Sequence, residues 1–228
     1  MKVIKEDSIK RTYVMFVLDN SGSMSVNRLA TLSGFNEQLL AVKNMESPTH
    51  QVFVSVILFS DPGSGIMMIR DRVPSVNMPL MRESEYLADG ASTALWDAMW
   101  AGISNMEKNT IINPKNDAVL MITITDGQNN NSREVLSADM IKQKVRMLTD
   151  GGNWTFTFMG IDSVENISQG FGIAAANTAI FSKTDPSANT LLNTKGLVGY
   201  ALSRASGATQ NSSFYAGADQ TPDRNNRQ

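Results

Sequence analysis

The chain contains no cysteine, and its 228 residues include one histidine, His50. The first absence excludes disulfides and thiolate metal sites, and it is compatible with the cytosol. The two together leave no cysteine or histidine nucleophile-and-base pair beside any strand end. No apolar run approaches the ~20 residues needed to cross a bilayer, and Met1 to Asp7 lacks a signal-peptide hydrophobic region. The formal net charge is only −2, so no global basic field draws nucleic acid or anionic lipid. By elimination the expected location is cytoplasmic, the host's cytoplasm if the source is a phage.

What is present is a core of ordinary size. A hydrophobic fraction of 42% and a charged fraction of 18% suit a single α/β domain. Tyr13-Val14-Met15-Phe16-Val17-Leu18 is a continuous apolar run, the signature of a strand buried on both faces. Ser25 to Met45 carries Leu29, Leu32, Phe35, Leu39 and Val42 at helical spacing. Val52 to Ser60 reads as a strand, and Ile66 to Val73 as a short antiparallel edge strand after the turn Asp61-Pro62-Gly63. Helix at Thr93 to Met106, strand at Ala118 to Thr125 and helix at Glu134 to Leu148 follow, the last with a capping-box pair in Asn131 and Glu134. Trp154 to Met159 is a strand, Ile167 to Ala176 a helix, Ala179 to Ser182 a strand and Ser187 to Ser206 a final helix. This alternation predicts a Rossmann-like, doubly wound, mostly parallel six-stranded sheet with helices on both faces. The expected organisation is an N-terminal arm over 1–11, the domain over 12–206 and a polar C-terminal tail over 207–228, in which Phe214 and Tyr215 form an apolar island that either packs back on the domain or binds a partner.

Chemistry gathers where the buried strands stop. Asp19, Ser21 and Ser23 follow the first run at alternate positions, with Gly22 letting the backbone turn. The second buried run, Val119 to Thr125, stops at Asp126-Gly127. Between them, Asp89-Gly90-Ala91-Ser92-Thr93 leads into a helix, with Thr93 at its start. Carboxylate and hydroxyl oxygens are the donors of a hard divalent cation, and ligands of open α/β sheets collect at strand carboxyl ends. With no sulfur donor and the lone imidazole far away in sequence, this donor set favours Mg²⁺, with Mn²⁺ or Ca²⁺ possible. The bland alternative is that Asp19 caps a helix and the serines satisfy a turn.

The pattern Asp-x-Ser-x-Ser, then Thr, then Asp resembles the metal-ion-dependent adhesion site (MIDAS) of von Willebrand factor A domains, of the stand-alone bacterial or phage type. The resemblance implies that Ser21, Ser23 and Thr93 reach the metal while Asp19 and Asp126 act largely through coordinated water. It implies an open position that a carboxylate of a partner protein fills, making the chain a metal-dependent interaction module and not an enzyme. Two other functions compete: a structural subunit whose metal only stabilises loops, and a Mg²⁺-dependent phosphatase. Haloacid-dehalogenase-like chemistry needs a second aspartate where this chain has Ser21, and no phosphate-binding Gly-x-x-x-x-Gly-Lys-Ser/Thr loop is present.

Of the other candidates, Asp61 reads as a turn residue and Asp97 as a carboxylate favoured in the first turn of its helix. Asp162 could line the crevice. His50 reads as an exposed loop residue or a satisfied polar group. Asn129-Asn130-Asn131 is placed to line the rim of the metal face and also reads as a flexible connection before a helix, two readings that are compatible.

Overall fold

The computed structural model describes residues 9–160 and 163–216; Asp162 lies outside them. Strands β1 (Lys10–Asp19), β2 (His50–Phe59), β3 (Ile66–Pro74), β4 (Asp117–Ile124), β5 (Trp154–Gly160) and β6 (Thr178–Ile180) form one sheet in the order β3-β2-β1-β4-β5-β6. All neighbours are parallel except β2 and β3. The helices are α1 (Arg28–Lys43), α2 (Leu95–Asn109), α3 (Ala138–Asp150), α4 (Val164–Phe171) and α5 (Pro186–Ala205).

The continuous apolar runs exist because both sheet faces are covered. Along β1, Val14, Phe16 and Leu18 join a core with Leu32, Phe35, Leu39 and Leu197 of α1 and α5. Tyr13, Met15 and Val17 point the other way, into a core with Met99 and Ile103 of α2 and Ile141 and Val145 of α3. Burying each such side chain contributes about 1.5–3 kcal/mol, so a one-residue slip of β1 would misplace both sets at once. Phe214 and Tyr215 are buried in the first core. The Tyr215 hydroxyl donates to Asn193 Oδ1 at 2.7 Å.

The chain builds outward from β1 through β2 to β3, then returns to the far side of β1 for β4, β5 and β6. Loops leaving β1 and β4 therefore diverge, which opens a crevice at their carboxyl ends.

Some boundaries differ from the sequence expectation for identifiable reasons. The first helix is split: residues Gly22–Asn27 form a 3₁₀ segment before α1 begins, and Leu29 is exposed instead of buried. Helix α3 begins at Ala138, without the capping box. The N–H groups of Arg133, Glu134 and Val135 are instead held by the Asp97 carboxylate at 2.8–3.1 Å, which keeps those residues out of the helix. Helix α4 ends earlier than expected, at Gly172, whose φ of +68° is the left-handed conformation glycine adopts freely. Among the described residues, no helix is long and apolar enough to cross a membrane.

Candidate metal centre

Asp19 is the last residue of β1 and is fully buried. Its Oδ1 accepts the Ser21 N–H at 2.8 Å and its Oδ2 the Thr125 hydroxyl at 2.5 Å. Its backbone carbonyl accepts the Tyr86 hydroxyl at 2.7 Å. Burial is the largest influence on this carboxyl and pushes its pKa up; the hydrogen bonds from Ser21 and Thr125 oppose that, and the charge of Asp126 adds to it. The Tyr86 phenol is likewise raised, first by burial and then by Asp19 and Asp126.

Ser21 and Ser23 bring their hydroxyl oxygens within 3.1 Å of each other. Ser23 donates onward to Asp126 Oδ1 at 2.6 Å, 103 residues away in sequence. Asp19 does not cap a helix, as the bland reading has it; its carboxylate orders the turn through the Ser21 N–H. Ser21 occupies the cap position of the 3₁₀ segment yet makes no side-chain capping bond, so its hydroxyl is turned to the site. Gly22 does not adopt a left-handed φ. What it provides is room: its N–H donates to Gly90 O at 2.7 Å, and a Cβ there would stand 3.2 Å from that oxygen.

The second loop is stitched to the first. Gly90 N–H donates to Asn20 O, and Asn20 Oδ1 accepts the Ala88 N–H at 2.7 Å, holding Ala88 at a φ of +52°. A Cβ on Gly90 would lie 2.1 Å from Ser60 Cβ, a clash no side chain could relieve. Thr93 is buried just before α2. Its N–H donates to Asn130 Oδ1 and its carbonyl accepts the Asn130 N–H, at 2.8 and 3.0 Å. Asn129 Oδ1 accepts the Trp96 N–H and Asn131 Nδ2 donates to Ser92 Oγ. The three asparagines thus serve as the brace that sets Thr93 in place.

The third loop carries Asp126, also buried. A Cβ on neighbouring Gly127 would meet Thr93 Oγ1 at 3.3 Å and Asp19 Oδ2 at 3.8 Å, so the three loops meet at one point. All five predicted residues are brought together. Among the described residues there is no group of three or more His, Cys, Asp or Glu side chains that could hold a metal ion; this site has two carboxylates and its remaining oxygens belong to hydroxyls. Such a neutral-rich, all-oxygen set fits a hard divalent cation.

The other candidates lie elsewhere. Asp61 is joined to the second loop by Ser92 Oγ at 2.7 Å and the Ala91 N–H at 3.1 Å; these bonds lower its pKa. Asp97 serves the 133–135 backbone. His50 is not an exposed loop residue: it is buried at the start of β2, with Nε2 2.8 Å from Thr12 Oγ1.

Sequence reading missed Asn20, Tyr86, Thr125 and Lys183. Thr125 alone had a local signal, a hydroxyl at a buried strand's end directly before Asp126. Lys183 lies in the segment between β6 and α5, with Nζ 3.1 Å from Asp126 Oδ2.

A family model described as von Willebrand factor type A domain matches residues 14–194. Searching curated proteins gives no match. Among solved structures, the pilus adhesin SpaC from Lactobacillus rhamnosus GG in its open conformation is similar with a TM-score of 0.59 and 14% identity, over 86% of this chain and 30% of that one. Proximal thread matrix protein 1 from the mussel byssus, with a zinc-occupied MIDAS motif, gives 0.52 and 12%, over 83% and 48%. The PilB minor pilin from Streptococcus sanguinis gives 0.56 and 11%, over 87% and 63%. The chain spans less than two thirds of each of these structures, and at such identities they speak for the fold. With the family model spanning most of the sheet and its helices, the chain belongs to the von Willebrand factor type A domain family.

Proposed function

We propose that the chain is a divalent-metal-dependent protein-interaction module, in which Asp19, Ser21, Ser23, Thr93 and Asp126 hold Mg²⁺ and the ion accepts a carboxylate from a partner protein. The observation that carries this reading is the convergence of oxygens from three separated loops on one point at the β1/β4 crevice. Ser21, Ser23 and Thr93 supply uncharged donors, so a bound cation keeps most of its positive charge for an incoming anion. Asp19 and Asp126 are already hydrogen-bonded to the loops that carry the hydroxyls, the role that orients metal-binding groups. A relative in the mussel byssus holds zinc in its MIDAS; the absence here of any sulfur or nitrogen donor favours Mg²⁺ or Mn²⁺.

Beside the site, a cavity of about 210 Å³ is lined by Leu95, Trp96, Phe158 and Phe171, with Gln128 and Asn129. It offers an apolar side chain next to the partner's carboxylate a place to pack. No catalytic nucleophile or base is needed for this role.

The test is calorimetric titration with Mg²⁺ and Mn²⁺, followed by capture of partners from native lysate in Mg²⁺ and in chelator. Uptake of one divalent ion, lost in the Ser21→Ala/Ser23→Ala double variant, together with chelator-sensitive capture, is expected. Equal capture in both conditions refutes metal dependence. Metal uptake that raises Tm without altering any association would instead indicate a purely structural site.

A further inference from the structure

We infer that Lys183 is a resident counter-cation of the site, and that a divalent ion enters by exchange for its ammonium group. This deepens the metal-binding reading and rests on it. Asp126 has a side-chain exposure of 1%, while that of Lys183 is 52%. A buried carboxylate is therefore paired with a cation that reaches in from solvent. Asp126 Oδ1 is taken by Ser23 and Oδ2 by Lys183, and Asp19, buried alongside, has hydrogen bonds but, among the described residues, no ion pair. Among the described residues, Lys183 is the only basic side chain paired with either carboxylate.

The backbone and the side chain of Lys183 are held very differently. Its carbonyl accepts Asn27 Nδ2 at 2.9 Å, anchoring it to the 3₁₀ segment that begins at the serine loop. Ser182 exchanges two hydrogen bonds with Asn189, at 2.7 and 2.8 Å. Asp185 caps α5 through the Ala188 N–H. The main chain is thus fixed over the site, while the ammonium group hangs on a flexible four-carbon stem with Asp126 as its one charged partner among the described residues. A lysine and a divalent ion sharing one carboxylate repel each other. Because the stem can swing to solvent with its backbone in place, uptake of the ion costs the Lys183–Asp126 pair and little else. Lys183 then sets the affinity for the metal: it neutralises the crevice when divalent ions are scarce and opposes loading until they are plentiful.

The experiment compares Mg²⁺ and Mn²⁺ binding by calorimetry in the wild-type chain, Lys183→Gln, Lys183→Arg and Lys144→Gln. The last makes the same charge change at a lysine paired with Glu107, away from the site. Lys183→Gln is expected to bind about two- to fivefold more tightly, the scale of one partly exposed ion pair. Lys183→Arg and Lys144→Gln should stay near wild type. The Tm of Lys183→Gln should fall at or below wild type in chelator and rise to or above it in saturating Mg²⁺. Equal or weaker binding by Lys183→Gln, with normal uptake by wild type, overturns the exchange alone. No uptake by any of the four proteins overturns the metal reading itself, and the exchange with it.

Discussion

Polar side chains are buried at both ends of the sheet, and the two clusters are built on opposite plans. At the amino ends of β1, β2 and β4, Arg204 is almost completely buried. It donates to Thr12 Oγ1 and to the carbonyls of Arg11, Asn116 and Ala208. His50 sits against the same threonine. The cation is locked by four oxygens of the chain, so this cluster closes the end of α5 onto the start of β1. At the carboxyl ends the carboxylates are the locked members, the hydroxyls lie on the crevice, and the cation is a half-exposed lysine. Buried polarity alone does not mark a functional site. The useful distinction is whether the mobile partner is inside the chain or at its surface.

Variants can break this comparison, the largest effect on folding coming first. Arg204→Met leaves four acceptors without their donor and should cost about 3–5 kcal/mol in urea unfolding, with metal uptake by the remaining folded molecules unchanged. A loss below 1 kcal/mol would show that the amino-end cluster is not a structural clasp.

His50 gives a pH test of the same end. Burial, with the positive charges of Arg204 and Lys10 adding to it, lowers its pKa from 6.5 to about 4. The unfolded imidazole takes its proton first as pH falls, so stability is intact above about 6.5 and lost between there and about 4, by up to about 3 kcal/mol. Unfolding curves at pH 7.5 and 4.5 should show this loss in wild type and a smaller one in His50→Gln. Equal losses in the two proteins would mean that the folded imidazole takes its proton as readily as the unfolded one.

Asp97→Asn keeps an oxygen acceptor but loses the charge and the second oxygen that serve three N–H groups. It should cost about 1–3 kcal/mol and increase hydrogen exchange at residues 133–135 before it touches metal affinity. The Ser21→Ala/Ser23→Ala variant sharpens the contrast from the other side. It should change stability by only about 1 kcal/mol while abolishing divalent uptake, the reverse of the pattern at Arg204.

The legible parts of the molecule were those encoded locally. The apolar run Tyr13 to Leu18 announces a strand buried on two faces, because alternate residues must both find a core. Asp19, Ser21 and Ser23 stand out because their oxygens come where such a strand ends. The boundaries that moved were set from a distance. Asn131 and Glu134 have the composition of a cap, but Asp97 takes the N–H groups that would have begun the helix. Leu29 has the spacing of a core residue, but the 3₁₀ segment ahead of α1 turns it outward. His50 reads from the sequence as either an exposed loop residue or a satisfied polar group; it is the second, and the choice was hidden because its partner, Thr12, is 38 positions away.

By itself, the sequence determined the parallel sheet, its antiparallel edge, and three oxygen-bearing strand and helix ends, since periodicity and donor chemistry are properties of short segments. Only the tertiary structure decided that Ser23 donates to Asp126, that asparagines 129–131 brace Thr93, and that Lys183 reaches into the crevice. The first of these pairings depends on the reversal of strand order between β1 and β4. Such a reversal joins loops a hundred residues apart and leaves no trace in the local pattern of either.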